Sequence, residues 1–245
     1  MNVIFKPETV NTLYNYLSTV ADSEMNMIFY ETHILIEGYC SQYICFYVLT
    51  IPLEMVIQYS AFDLNISVKD TVMFMKELKK SDNLKLSFKN NLFKINKKTI
   101  LYERNNYNNT EIDIFNFQYK IYRNIYFKFK LSNCKNNEII FKEIDGILML
   151  KCDTEFIPLH ISSTISNNKL HYEKYRDGEC NTRFITNIVN TYISIKNEPT
   201  NSFMFLENKK PLAICHYCND YALKLQIFVS PCDDNFNITN NIYYE

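Results

Sequence analysis

The sequence predicts an α+β chain of two similar domains, each assembled from two strand-helix-strand-strand-strand units. Three observations point there. A chain of 245 residues suits two domains of ~100 to 150 residues each. Hairpin-like motifs recur about half a chain apart, and segments with helical spacing precede them.

The first hairpin motif is Met27-Ile-Phe-Tyr-Glu-Thr-His-Ile-Leu-Ile-Glu-Gly38, and its match is Ile139-Ile-Phe-Lys-Glu-Ile-Asp-Gly-Ile-Leu-Met-Leu150. Phe29 aligns with Phe141 and Glu31 with Glu143, after which a slip of one residue aligns Ile34-Leu35-Ile36 with Ile147-Leu148-Met149. Asp145-Gly146 between two apolar runs is a hairpin signal, because both turn positions need a positive φ. A second pair has the same form: Asn83 to Ile95 resembles Asn201 to Ile214, each a strand, a polar turn rich in Asn and Lys, and another strand.

Helices are expected ahead of these hairpins. Val10, Leu13, Tyr14, Leu17 and Val20 form one apolar stripe, opposite Glu8, Asn11, Asn15 and Ser18. In residues 68–80, Val68, Thr71, Phe74, Met75 and Leu78 share a face, while Lys69, Lys76 and Lys80 fall within about 40° of one another. A weaker pattern at 123–135 alternates like a strand, and a short or distorted helix is expected there. The fourth helix is placed at 183–196, with Ile185, Ile188, Val189, Tyr192 and Ile195 on one side and Asn181 or Thr182 as N-cap. The resulting units cover about 1–60, 61–107, 119–165 and 170–232. The expected division is a first domain at 1–107, a connector at 108–118, a second domain at 119–234 and a flexible C-terminal tail at 235–245.

Composition narrows the function. Hydrophobic residues make up 47% and charged residues 22%, which fits a packed chain rather than a disordered one. No apolar run approaches the ~18 residues of a membrane helix, and the N-terminus lacks the regions of a signal peptide, so a soluble, intracellular protein is expected. The eight cysteines are scattered singly and read as reduced thiols. Three isolated glycines, Gly38, Gly146 and Gly178, form no phosphate-binding loop. Abundant Asn, Ile, Lys and Tyr with no Trp look like the codon bias of an AT-rich genome, a hint of a virus or parasite.

The formal net charge of -1 hides a separation. The four expected helix spans, 6–17, 67–80, 123–135 and 183–196, hold eleven basic side chains against three acidic ones, a net of +8 that the remainder offsets with -9. Helices gathered on one side of a sheet would present that charge to a polyanion contacted through its phosphates. Nothing in the sequence reads bases.

Taken together, the duplicated units, Glu143-Ile-Asp-Gly-Ile-Leu-Met-Leu150, Ser67 to Lys80 followed by Asn83-Leu-Lys-Leu-Ser-Phe88, Lys210-Pro-Leu-Ala-Ile214 and Leu223 to Asp234 resemble the sliding clamps of the proliferating cell nuclear antigen (PCNA) type. The resemblance covers about residues 1–234. It implies the DNA-clamp fold, with helices on one face of curved antiparallel sheets, and a homotrimeric ring that encircles duplex DNA without sequence preference. It implies a non-enzymatic processivity factor that tethers DNA polymerase and other replication or repair proteins through their short peptide motifs.

The residues matching the family's DNA-facing positions are Lys69, Lys76, Lys79, Lys80, Lys128, Lys130, Arg183 and Lys196. Its partner-peptide groove maps to Tyr39, Tyr43, Ile44, Ile112, Ile114, Phe115, Pro211, Phe228, Val229 and Pro231. Ring closure maps to edge strands near Lys98 to Arg104 and Phe156 to Thr164. The first helix departs from the pattern, since Asn11, Asn15 and Ser18 stand where the family has lysines. That departure keeps a second role open: a clamp-fold viral late transcription factor, or one subunit of a heterotrimeric checkpoint clamp. The expected location is the nucleus, or a cytoplasmic replication site if the chain is viral.

Catalytic and metal chemistry are set aside, and no cofactor or membrane partner is expected. Cys215-His-Tyr-Cys218 is half of a zinc spacing with no second pair, on a run whose side chains alternate between faces. Four histidines among eight cysteines produce accidental pairs. Asp145 and Asp233-Asp234 have no partner carboxylates in the pattern.

Overall fold

The computed structural model describes residues 2–22, 24–40, 45–60, 64–105, 116–166, 168–195, 201–218 and 223–232. The chain divides into two compact units. The first takes Met1–Asn109 with Ile195–Thr200 and Tyr217–Leu225; the second takes Thr110–Ser194 with Asn201–His216 and Gln226–Glu245.

In the first unit, β1 (Asn2–Phe5) leads into α1 (Pro7–Val20), followed by β2 (Met25–Phe29), β3 (His33–Cys40) and β4 (Cys45–Pro52). A 3-10 turn at Leu53–Met55 and β5 (Val56–Tyr59) close this copy. The second copy is β6 (Leu64–Val68), α2 (Thr71–Lys80), β7 (Lys85–Lys89) and β8 (Leu92–Ile95), then β9 (Lys98–Ile100) and β10 (Tyr102–Arg104). The copies interlock. β1, from the first, pairs with β7 of the second in the order β5-β1-β7-β8-β9, while β6 pairs with β2 in the order β10-β6-β2-β3-β4.

The second unit repeats the plan with β11 (Tyr119–Tyr122), α3 (Ile125–Ser132), β12 (Glu138–Ile144), β13 (Ile147–Cys152), β14 (Glu155–Pro158) and β15 (His160–Ile161). Two strands, β16 (His171–Lys174) and β17 (Asn181–Ile185), precede α4 (Thr186–Ile193), and β18 (Asn201–Leu206), β19 (Leu212–Cys218) and β20 (Leu223–Val229) end the series. β11 crosses to pair with β18, and β17 with β12. The orders are β14-β13-β12-β17 and β20-β19-β18-β11-β16-β15. Four strand-helix-strand-strand-strand copies are thus present, as expected, in a mixed α+β fold. Every strand pair within the units for which a register is resolved is antiparallel except β15 with β16.

Local chemistry explains the elements. Asp145 and Gly146 both take positive φ, 51° and 76°, as a two-residue hairpin requires, and Asn90 and Asn91 do the same at 52° and 57° between β7 and β8. Two helices start at side-chain caps: Asp70 accepts from the Met73 N–H at 2.9 Å and Asn124 from the Phe127 N–H at 2.7 Å. Inward faces are apolar. α1 buries Val10, Leu13, Tyr16, Leu17 and Val20, and α2 buries Phe74 and Leu78. The alternation of β1, β7 and β8 sends Val3, Phe5, Leu86, Phe93 and Ile95 into the core.

The matched hairpins do not share one register. Phe29 closes β2 opposite Ile34, whereas Phe141 lies deeper in its hairpin, opposite Leu150. The likeness of the two segments therefore reflects similar strands, with turns at different distances from the matched phenylalanines.

Candidate functional site

The solvent side of α2 carries Val72, Lys76, Lys79 and Lys80, and the Lys79 ammonium lies 5.9 Å from the centre of the Tyr14 ring on α1. Lys69 does not share this stripe. Val68 is still held in the sheet, opposite Met25 and Tyr102, so the helix begins only after the Asp70 cap. Lys69 instead stands 3.1 Å from Glu24 and 3.3 Å from Glu103. Its hydrogen bond to Glu24, reinforced by Glu103, raises its pKa and commits its charge to those carboxylates.

On α3 the half-buried Lys128 and Lys130 flank an outer stripe of Ile125 and Phe129, which are 69% and 59% exposed. Lys130 lies 5.4 Å from the Tyr126 ring centre. The segment that alternates like a strand is helical because Asn124 caps it and Phe127 and Leu131, one turn apart, are both buried.

The fourth helix starts three residues later than expected. The β12–β17 ladder runs from Asn181 to Ile185, so Asn181 and Thr182 are strand residues, and Ile185 sits at the cap position with no side-chain bond. Arg183 therefore belongs to β17, where it meets Glu138 at 3.5 Å and donates to the Cys232 carbonyl at 3.1 Å. The outer face of α4, with Asn187 and Thr191, is neutral, and that of α1, with Asn11 and Ser18, carries the acidic Glu8 and no base. Lys196 lies outside the described residues. Across the four observed helices five basic side chains, Lys76, Lys79, Lys80, Lys128 and Lys130, stand against Glu8 and Glu77. The expected helical excess of eight positive charges falls to three.

Of the residues matched to a peptide groove, Tyr39 is half-buried on β3, its ring centre 5.3 Å from that of Phe46. Pro211 is half-buried, while Phe228, Val229 and Pro231 are buried. Phe228 and Val229 thus contribute core rather than an open wall. Tyr43, Ile44, Ile112, Ile114 and Phe115 lie outside the described residues, as do most of the connector and all of the tail.

Each expected edge run breaks in two. Residues 98–104 bend at Leu101, so that β9 ends one sheet and β10 another, and residues 155–161 bend at Leu159 between β14 and β15 in the same way. Leu101 is 70% exposed and Ile161 68%. Exposed apolar side chains on sheet edges are a liability unless another strand covers them.

One buried cluster escaped the sequence pattern. Arg123, just before α3, donates to Ser202 Oγ at 2.8 Å, which lies 2.9 Å from His216 Nδ1; His216 Nε2 lies 2.8 Å from the Tyr192 carbonyl of α4. With Nε2–H donating to that carbonyl, Nδ1 is left to accept from the serine. Both ring nitrogens are engaged, so His216 is not free to join Cys215 and Cys218 around a metal. Burial pushes its pKa down to about 3, the Tyr192 carbonyl resisting and Arg123 and Lys128 contributing.

No protein-family model matches the chain, and no curated protein matches it by sequence. Solved structures do. The chain is similar to A. fulgidus PCNA, solved with the C-terminal region of FEN-1, with a TM-score of 0.68 and 14% identity over 96% of this chain and 99% of that one. A PCNA2–PCNA3 complex of Sulfolobus tokodaii matches with a TM-score of 0.67 and 17% identity over 95% and 99% of the two chains. The Thermococcus kodakaraensis PCNA matches at 0.68 and 13%, over 94% and 99%. The chain has the fold of a PCNA-type clamp from end to end.

Proposed function

We propose that this chain is a sliding clamp: three copies close into a ring around duplex DNA and tether a DNA polymerase and other replication or repair proteins. The observation that carries the reading is the end-to-end clamp fold, with four strand-helix copies and lysines at Lys76, Lys79, Lys80, Lys128 and Lys130 on the helices. The role is that of a scaffold rather than an enzyme. In this reading the exposed edges at Leu101 and Ile161 are covered by neighbouring copies, and the clamp takes short peptides of partner proteins. The work would be done in the nucleus, or at a cytoplasmic replication site for a viral protein.

A second reading keeps the fold and changes the job to a late transcription factor or one subunit of a heterotrimer. The outer faces of α1 and α4, which carry no base, and the apolar stripe of α3 favour it, because they leave few groups to meet phosphates.

The test joins mass in solution to retention on DNA. A mass near three times 29.2 kDa, with retention on closed circles and loss from linear duplex, supports the ring. A monomer that assembles only with unlike chains supports the second reading. Lys76→Ala, Lys79→Ala and Lys80→Ala together should weaken equilibrium binding to a short duplex and lower its salt dependence, by about 0.9 in the log-log slope for each phosphate no longer neutralised.

A further inference from the structure

We infer that the solvent face of the β5-β1-β7-β8-β9 sheet is a second nucleic-acid surface, one that takes the backbone of a single strand. Between Asn83 and Leu101 the chain holds five lysines, Lys85, Lys89, Lys94, Lys97 and Lys98, and no acidic residue. Among the described residues none of the five makes an ion pair. Their placement follows from the pleat. Lys85 and Lys89 lie on the side of β7 opposite the buried Leu86, and Lys94 of β8 sits opposite Ser87, midway between them. At ~3.3 Å per residue along a strand and ~5 Å between strands, the Cα atoms of the three lysines form a shallow zigzag about 13 Å long with steps near 8 Å. Lys97, on the turn beyond Lys85, continues the row. A cavity of about 720 Å³ opens along it, lined by these four lysines together with Asn2 and Asn90 among others.

The form of the row selects the ligand. A compact anion needs donors that converge on one point, whereas these are strung out at intervals suited to successive phosphates of an extended chain. A duplex groove presents two backbones about 6 to 12 Å apart. Lys85, Lys89 and Lys94 occupy two adjacent strands, ~5 Å apart, and match one backbone. The neighbours Asn2, Ser87, Asn90 and Thr99 are polar and can hydrogen-bond phosphate and sugar oxygens, while among the described residues that line the cavity Leu92 is the one large apolar side chain that is exposed, few for a peptide or membrane to use. No base is read; the attraction is electrostatic and salt-dependent.

Binding of a fluorescent oligothymidylate to the full chain, followed by anisotropy across a salt series, tests the inference. Lys85→Gln, Lys89→Gln and Lys94→Gln together should weaken binding at least tenfold and lower the log-log salt slope by about 2, near 0.7 for each single-strand phosphate left without its lysine. The helix variant Lys76→Ala, Lys79→Ala and Lys80→Ala should leave this binding intact, and the sheet variant should leave retention on duplex circles intact, so that failure here and failure of the clamp reading are distinguishable. Unchanged affinity and slope in the sheet variant overturn the inference. Preference for a polyglutamate peptide or for anionic vesicles over the oligonucleotide overturns it as well.

Discussion

Replacing His216 with Gln should flatten the pH dependence of stability between pH 7 and 5. The imidazole is buried between Ser202 and the Tyr192 carbonyl, with a pKa pushed down to about 3, against an unfolded value of about 6.5. Because the folded pKa lies below the unfolded one, the neutral form favours the native state above pH 6.5, and that contribution is lost as the pH falls toward 3. Below pH 6.5 the slope approaches ~1.4 kcal/mol per unit, which integrates to a loss of about 2 kcal/mol between pH 7 and 5. A Gln amide can donate to the carbonyl and accept from the serine, but cannot be protonated in this range. Its fixed cost is therefore independent of pH. Urea unfolding at intervals from pH 7 to 5 measures both slopes; His171, whose pKa burial also lowers, titrates alike in both proteins. Parallel curves for the wild type and His216→Gln would refute the argument and mean that the folded protein accommodates the imidazolium, with water or a carboxylate in contact with the ring. The functional stake is direct, since this cluster joins the start of α3 and the end of α4 to β18 and β19.

Two local predictions follow from the same geometry. Asp70→Ala removes the cap of α2 and should cost about 1 kcal/mol, seen as a lower urea midpoint with unchanged m-value. Gly38→Ala should cost ~1 to 3 kcal/mol, because an added Cβ would stand 2.9 Å from Tyr47 Oη and 3.0 Å from the Glu24 carbonyl, and the fully buried Tyr47 has little room to yield; thermal unfolding at the wild-type temperature would show the packing argument to be wrong.

The order of strands and helices is legible in the residues because it is local information. Asp145-Gly146 marks its turn, and the apolar stripes of α1 and α2 mark their helices. Helix starts are legible only in part. Val68 and Ile185 are apolar and in phase with the helical stripes that follow, yet each is held as a strand by partners far away in the chain, Met25 and Glu138. That error puts Lys69, from the bend after β6, and Arg183, from β17, on helices and exaggerates the helical charge. The crossed pairing of β1 with β7 and of β11 with β18 leaves no mark on either segment alone. Nor does the meeting of residues 123, 192, 202 and 216, since nothing in a local pattern distinguishes a buried His from a ligand. The lysine file on β7 and β8 needed the register opposite Ser87 before its spacing had meaning.

The apolar stripe of α3 separates the two roles most sharply. If α3 faces a duplex, Ile125 and Phe129 occupy positions where a cation would meet phosphate, and the clamp holds DNA by enclosure with little help from this helix. Topological retention tolerates that, because a closed ring prevents escape however weak the field inside it. Ile125→Lys with Phe129→Lys should then raise duplex affinity and steepen the salt slope by as much as ~1.8, two phosphates at about 0.9 each. Both side chains are more than half exposed, so the fold should tolerate the change within about 0.5 kcal/mol. Equilibrium binding to a short duplex over a salt series measures the effect. A slope equal to wild type would mean that α3 does not meet DNA, and the exposed Ile125 and Phe129 would then mark a surface for another protein, as the second reading requires.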